Sequence, residues 1–319
     1  MKKICTLLVV LMLFLLIGDI FIGKETNADT IYPEITVTSS QKTITAEKDK
    51  EFIIDYTFTP KPIPVSALNT TVDKEIILVI DTSGSMADRL QNSYTTKITA
   101  LIRAAKAFVG KFAAEENTKI GIVSYSTKGR VTQGLVSSKD TNRLNTKLDE
   151  LNNVTGATNI GEGMRQALKE LNKNTTAKKF VILMSDGEPT AFSYSGSYQQ
   201  ERYDRNTGAY ELPGSNYYKL VNGSSLFTSL TDSTSMKTGF YGGTSDPNSY
   251  AKNFAKEMAV IGKGKGVRSF AVGFVLQSNG ADKLKEIAAS GDGLYYNGNN
   301  ESEIIKIYEE IANKIIGEY

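Results

Sequence analysis

From residue 73 onward apolar residues arrive in short blocks separated by stretches with a helical period. That alternation predicts a mostly parallel, doubly wound α/β sheet with helices on both faces. "EIILVI" is apolar without interruption, as expected of a strand buried on two sides. In "KITALIRAAKAFVGKF", residues Ile98, Leu101, Ile102, Ala105, Phe108, Val109 and Phe112 share one helical stripe. "KIGIVSYS" and "KFVILMS" repeat the strand pattern, "RVTQGLV" reads as an edge strand, and "TNRLNTKLDELN" and "IGEGMRQALKELN" read as helices. The rhythm resumes with helix "YAKNFAKEMAVIG", strand "VRSFAVGFV", helix "ADKLKEIAAS" and strand "GLYYN". A last helix, "ESEIIKIYEEIANKII", opens on Glu301 and Glu303.

Three stretches stand outside this rhythm. Residues 188–248 are rich in Gly, Ser and Tyr and far exceed an ordinary strand-to-helix connection, so they read as an insertion. Its tyrosines serve either ligand contact or the packing of a small β-rich cap. Residues 29–72 read as a β-rich segment. Phe52, Ile54, Tyr56 and Phe58 alternate with mostly polar neighbours, "EITVTSS" does likewise, and "PKPIP" closes the segment as a linker. Two or three strands rarely stand alone, so these are expected to pack on the next domain or to pair with strands further along a longer native chain. Residues 1–28 read as a signal peptide: Lys2 and Lys3, an apolar run from Ile4 to Ile17, and a small-residue end at Ala28.

Composition narrows the chemistry. A net charge of +2 without a basic block gives no support to nucleic-acid binding. The single cysteine, Cys5, lies in the leader, so the exported chain is expected to hold no disulfide and no thiol ligand. With no histidine anywhere, the usual general bases and thiol nucleophiles are missing, and no catalytic residue is assigned. "GKGKG" at 262–266 links a helix end to a strand, the reverse of a phosphate loop, and reads as a helix stop.

Ligands of open parallel sheets bind at the carboxyl ends of the strands. Three oxygen-rich loops fall there: "DTSGS", "GATN" and "SDGE". Asp81, Ser83 and Ser85 alternate along one loop and can turn to a common point, and Thr158 and Asp186 offer further oxygens. Such an all-oxygen set suits a hard divalent cation, Mg²⁺ first, with Ca²⁺ or Mn²⁺ as alternatives. Each loop also has a local explanation. "DTSGS" and "SDG" make turns, and Thr158 competes with Asn159 for a helix cap.

Taken in order, "DTSGS", "GATNIGEG" and "MSDGEP" resemble the metal-ion-dependent adhesion site of a von Willebrand factor type A domain, over about residues 73–316. The resemblance matches Asp81, Ser83, Ser85, Thr158 and Asp186 to the family's five metal positions. It implies an open coordination position that an acidic residue of a protein ligand fills. The leader, short β segment and long insertion are similar to the start of Gram-positive surface and pilus-tip adhesins. From this we expect an exported adhesion module at the cell surface or secreted, gripping a host-surface or extracellular-matrix protein. The alternatives are a pilus or cell-envelope assembly subunit with a structural metal, and a metal-dependent hydrolase. No sorting signal precedes Tyr319, so the chain is either released or part of a longer one, and the lone β segment favours the second.

Overall fold

The computed structural model describes residues 35–39, 56–60, 72–91, 93–171, 176–203, 210–211, 217–220, 223–240, 250–274 and 278–317. The readings of residues 1–28 as a leader and of 61–64 as part of a linker lie outside them. The chain divides into two compact units, residues 1–70 and 71–319. In the first, β1 (Ile35–Ser39) pairs antiparallel with β2 (Tyr56–Pro60), Ile35 opposite Pro60 and Ser39 opposite Tyr56. The described parts of the two alternating runs thus pair, while Phe52 and Ile54 lie outside the described residues.

The second unit carries the expected alternation. It runs β3 (Lys74–Asp81), α1 (Lys97–Lys111), β4 (Thr118–Tyr125), β5 (Gly129–Ser137), α2 (Thr141–Asp149), α3 (Ile160–Leu171) and β6 (Lys178–Ser185). After the long connection come α4 (Tyr250–Gly264), β13 (Val267–Phe274), α5 (Ser278–Ser290), β14 (Leu294–Gly298) and α6 (Glu301–Ile316). These strands form one six-stranded sheet in the order β14-β13-β6-β3-β4-β5. All neighbours are parallel except β4 and β5, which a short turn joins, too short for a parallel crossover. The edge position expected for "RVTQGLV" follows from this antiparallel return.

Period-two alternation divides each central strand between two cores. Ile76, Leu78 and Ile80 of β3 face a cluster built with α1, α2 and α6, where Phe108 meets Tyr308 edge-on at 5.9 Å between ring centroids. Ile77 and Val79 face the cluster of α3, α4 and α5. All five are fully buried, so the uninterrupted apolar run reflects helices on both sides. Helix α6 is capped by Asn300, whose Oδ1 accepts the Glu303 N–H at 3.0 Å, and the Glu303 carboxylate accepts the Asn299 N–H at 2.8 Å.

The connection from 188 to 248 is β-structured where described: β7 (Ala191–Ser195), β8 (Tyr198–Tyr203), β9 (Tyr210–Glu211), β10 (Tyr217–Leu220), β11 (Ser225–Leu226) and β12 (Lys237–Phe240). They form two three-stranded sheets, β11-β7-β12 and β10-β8-β9. β7 belongs to the core, since Phe192 and Tyr194 are buried in the α3 and α4 cluster, with Phe192 5.3 Å from the Tyr250 ring. Packing is therefore the role of Tyr194.

Helix α3 approaches the sheet through the glycines of "IGEG". A Cβ at Gly163 would lie 2.6 Å from Tyr125 Cδ1 and 3.0 Å from Val79 Cγ1, and one at Gly161 would lie 2.3 Å from the Phe254 ring. Neither neighbour is a flexible chain end, so the contact cannot relax cheaply. Gly163→Ala is expected to cost about 1–3 kcal/mol through overpacking, read as a lower urea midpoint with an unchanged slope.

Candidate metal centre

β3 and β6 lie side by side in the sheet, so Asp81 and Ser185 end their strands at the same carboxyl edge. Beyond β3 the chain turns through Ser83 into a short 3₁₀ helix, Gly84–Ala87. The Ser83 N–H donates to Asp81 Oδ1 at 2.8 Å, the local turn that the sequence also allowed. That turn does not exhaust the loop. Ser83 Oγ lies 3.3 Å from Ser85 Oγ, and Ser85 Oγ donates to Asp186 Oδ1 at 2.8 Å. Asp81, Ser83, Ser85 and Asp186 therefore form one connected polar chain.

The third loop meets the first through its backbone. The Gly84 N–H donates to the Gly156 carbonyl at 3.0 Å, and the Thr155 N–H to the Thr82 carbonyl at 2.9 Å. Gly156 has φ +87°, and a Cβ there would sit 2.6 Å from Thr127 Oγ1, so this crossing requires glycine. Thr158 is buried and held by Thr190: its N–H donates to Thr190 Oγ1 at 2.9 Å and its carbonyl accepts the Thr190 N–H at 2.9 Å. Asn159, not Thr158, caps α3, its Oδ1 accepting the Glu162 N–H at 3.1 Å. The capping duty that competed for Thr158 thus falls to its neighbour.

Three residues that the sequence reading missed complete the surroundings. Ser185 Oγ donates to Asp81 Oδ2 at 2.8 Å, and the Tyr125 hydroxyl lies 3.1 Å from the same oxygen and 2.9 Å from the Met184 carbonyl. Lys97, the first residue of α1, places Nζ 2.7 Å from Asp186 Oδ2 and 3.5 Å from Asp88 Oδ2. A serine and a tyrosine ending buried strands gave a signal only in hindsight of the sheet order. Lys97 gave none, because a helix-starting lysine ordinarily faces water.

Burial dominates the electrostatics. It pushes the Asp81 carboxyl up to about 6, with the nearby Asp186 charge adding to the rise and the hydrogen bonds from Ser83 and Ser185 opposing it. Burial, then the Asp81 charge, hold the Tyr125 phenol protonated well above its usual range. Oδ2 of Asp81 is taken by Ser185 and Tyr125, while Oδ1 accepts one backbone N–H and keeps a lone pair.

Whether these residues suit a cation is a matter of spacing and donor type. Adjacent ligands of an octahedral ion with bonds of about 2.1 Å lie about 3 Å apart. The 3.3 Å and 2.8 Å separations along Ser83, Ser85 and Asp186 bracket that edge. Every donor is an oxygen, which fits Mg²⁺, Ca²⁺ or Mn²⁺ better than Zn²⁺. Among the described residues no group of three or more His, Cys, Asp or Glu suited to a metal occurs, so hydroxyls must supply part of any shell here.

Residues 76–188 match the von Willebrand factor type A domain. Over 128 residues the chain is 29% identical to the minor fimbrium subunit Mfa5 of Porphyromonas gingivalis, covering 40% of this chain and 10% of that protein. The chain thus spans about a tenth of that relative's length. The solved vWF domain of Mfa5, a type V pili tip protein, superposes with a TM-score of 0.57 at 19% identity, covering 78% of this chain and 96% of that one. The PilB minor pilin from Streptococcus sanguinis gives 0.61 at 21% identity, covering 85% and 66%. The pilus adhesin SpaC from Lactobacillus rhamnosus GG, in its open conformation, gives 0.53 at 19% identity, covering 78% and 30%. At these identities the structural likeness establishes the fold.

Proposed function

We propose that this chain, built around a von Willebrand factor type A domain, is a pilus-associated protein-binding module of the cell surface that holds a divalent cation and grips an acidic residue of its protein ligand through it. The observation that carries this reading is the connected chain Asp81, Ser83, Ser85 and Asp186 at the carboxyl edge of the sheet, with the Thr158 loop bonded to it. The likeness to a fimbrium subunit, a minor pilin and a pilus adhesin supports the setting. Host-surface and matrix proteins are the ligands we favour, and binding rather than catalysis is part of the proposal.

These residues would hold the cation, Mg²⁺ first, which when bound supplies an electrophilic position for a carboxylate. Asp81 and Asp186 bring two negative charges, Ser83, Ser85 and Thr158 bring neutral oxygens, and the Lys97 ammonium already offsets Asp186. A divalent ion therefore leaves the site net positive, a charge balance that selects an anionic partner. Ser185 and Tyr125 orient the Asp81 carboxylate.

Binding to immobilised, purified matrix proteins tests the reading. At least one is expected to retain the chain in Mg²⁺, release it with a chelator and recover it on Mg²⁺ addition, while Asp81→Ala binds none. Retention that survives both treatments overturns the mechanism. An assembly role is the second reading, favoured by the fimbrium-subunit relative; it predicts association with pilus subunits irrespective of Mg²⁺.

Removing Lys97 gives a sharper check. Its ammonium occupies one oxygen of Asp186 and repels a divalent ion, so Lys97→Met is expected to tighten Mg²⁺ binding several-fold. Calorimetric titration reads this directly, and weaker binding would mean that Lys97 positions Asp186 instead.

A further inference from the structure

We propose that the cleft beside the cation loop is a second ligand subsite, which takes a second carboxylate from the same acidic protein segment. The proposal rests on the cation-bridged reading above. The cleft measures about 450 Å³, and Thr82, Ser126, Lys128, Arg130, Glu150 and Asn153 line it with others. That volume is in the range of ligand sites. Its wall is the cation loop itself, since Thr82 lies between Asp81 and Ser83. The Thr82 N–H donates to the Tyr125 carbonyl at 2.7 Å, and its carbonyl accepts from Thr155, at the start of the loop that carries Thr158. Strands β3 and β4 both end here, so cleft and cation loop open at one edge of the sheet.

The charge of the cleft is uncompensated. Lys128 and Arg130 are exposed, and among the described residues neither is paired with a carboxylate. Arg130 uses Nε on Ser124 Oγ at 3.1 Å, which fixes the guanidinium and leaves its terminal nitrogens free to fork onto a carboxylate. The acid on the wall, Glu150, is satisfied by Lys147 at 2.8 Å. Single exposed lysines and arginines are ordinary on a surface. Two unpaired cations in a concave site, next to a loop that would already hold one carboxylate, select a ligand with a second one. Extended chain advances about 3.3–3.6 Å per residue, so acids a few residues apart in one segment reach both positions.

The test is an NMR chemical-shift titration of the ¹⁵N-labelled protein in Mg²⁺. The probes are a glycine peptide with one aspartate, peptides with two aspartates separated by one to four glycines, and a heparin oligosaccharide. At one spacing or more the two-aspartate peptide is expected to bind at least about tenfold more tightly than the one-aspartate peptide, a gap of about 1.4 kcal/mol. The double substitution Lys128→Ala with Arg130→Ala, both at exposed positions, should erase that gain and leave the one-aspartate peptide and the Mg²⁺-induced shifts unchanged. No gain at any spacing, or a gain that survives the double substitution, overturns the proposal. Heparin binding tighter than every peptide and indifferent to Mg²⁺ would also overturn it and assign the cleft to a sulfated glycan. Failure of the cation reading looks different: Mg²⁺ then has no effect on the one-aspartate peptide, whatever Lys128 and Arg130 do.

Discussion

Asp81→Asn is expected to make the cation-free protein more stable by about 1–3 kcal/mol at pH 7.5 while abolishing its stabilisation by Mg²⁺. Asp81 is fully buried, and its carboxyl titrates at about 6 in the folded chain against 3.8 for the free side chain. Ionising it there costs about 3 kcal/mol at the standard conversion of 1.36 kcal/mol per tenfold change in acidity. Asparagine keeps the shape and drops the charge, at the expense of part of the bonding to Ser83 and Ser185. The sign of the pH dependence follows. Between pH 4 and 6 the folded chain holds a proton that the unfolded chain has released, so the wild type loses stability as pH rises through that window. The advantage of the variant should open over the same window and vanish below it. Excess Mg²⁺ reverses the ranking, because the wild type gains about 4.1 kcal/mol at a cation concentration of about a thousand dissociation constants and the variant gains nothing. Urea unfolding at pH 4, 5 and 7.5, with and without Mg²⁺, reads all of this. A variant less stable than wild type at pH 7.5 in chelator would show that Asp81 is there for structure alone.

Glu162→Ala should cost about 3–5 kcal/mol, the usual penalty for stripping a buried charge of its partner. Both Glu162 oxygens are used twice: Oε1 accepts from Arg165 at 2.8 Å and Gln166 at 3.0 Å, Oε2 from Arg165 at 2.9 Å and Ser193 at 3.0 Å. Arg165 is itself fully buried. It reaches on to the Ser229 carbonyl at 3.2 Å and Asp232 at 3.1 Å, with its guanidinium carbon 5.5 Å from the Phe227 ring centre. The pair therefore clamps residues 227–232 of the insertion onto α3. Loss of Glu162 leaves a guanidinium in the interior with only an exposed aspartate and a carbonyl for partners. The double substitution Glu162→Gln with Arg165→Met removes both charges and should recover much of the loss, as neutral replacements of buried pairs often do. Urea midpoints of the single and double variants check this, and limited proteolysis should find new cleavage between residues 223 and 240 in Glu162→Ala.

What the sequence announced and what it hid divide along the range of the interactions involved. β3 was legible because a strand covered on both faces has to be apolar at every position, and Ile76 to Ile80 are. The stripe of α1 was legible for the same local reason, since a 3.6-residue period has no other use in a chain this polar. In the candidate site, the alternation of Asp81, Ser83 and Ser85 pointed to a common centre, and the sheet order brings Asp186 to Ser85 across 101 residues. Thr158 and Asn159 were locally equivalent as caps. The bond from the Glu162 N–H to Asn159 Oδ1 breaks the tie, and Thr158 is held instead through its backbone by Thr190, the residue before β7. Lys97, Tyr125 and Ser185 were invisible because each looks locally like what it also is, a helix start or a strand end. Their contacts with the two aspartates exist only after folding. The core role of Phe192 was hidden in the same way, inside a segment whose composition otherwise reads as surface.

The central claim is that Asp81, Ser83, Ser85, Thr158 and Asp186 surround a divalent cation. Crystals soaked in Mn²⁺ and measured for anomalous scattering test it most directly. The expected result is a single strong peak at the carboxyl edge of the sheet, about 2.1–2.3 Å from hydroxyls of the serines and from Asp186, with the Lys97 ammonium moved off that carboxylate. No peak there, or a peak elsewhere with Lys97 still seated on Asp186, would contradict the account and leave this edge of the sheet as a hydrogen-bonded turn closed by an internal ion pair.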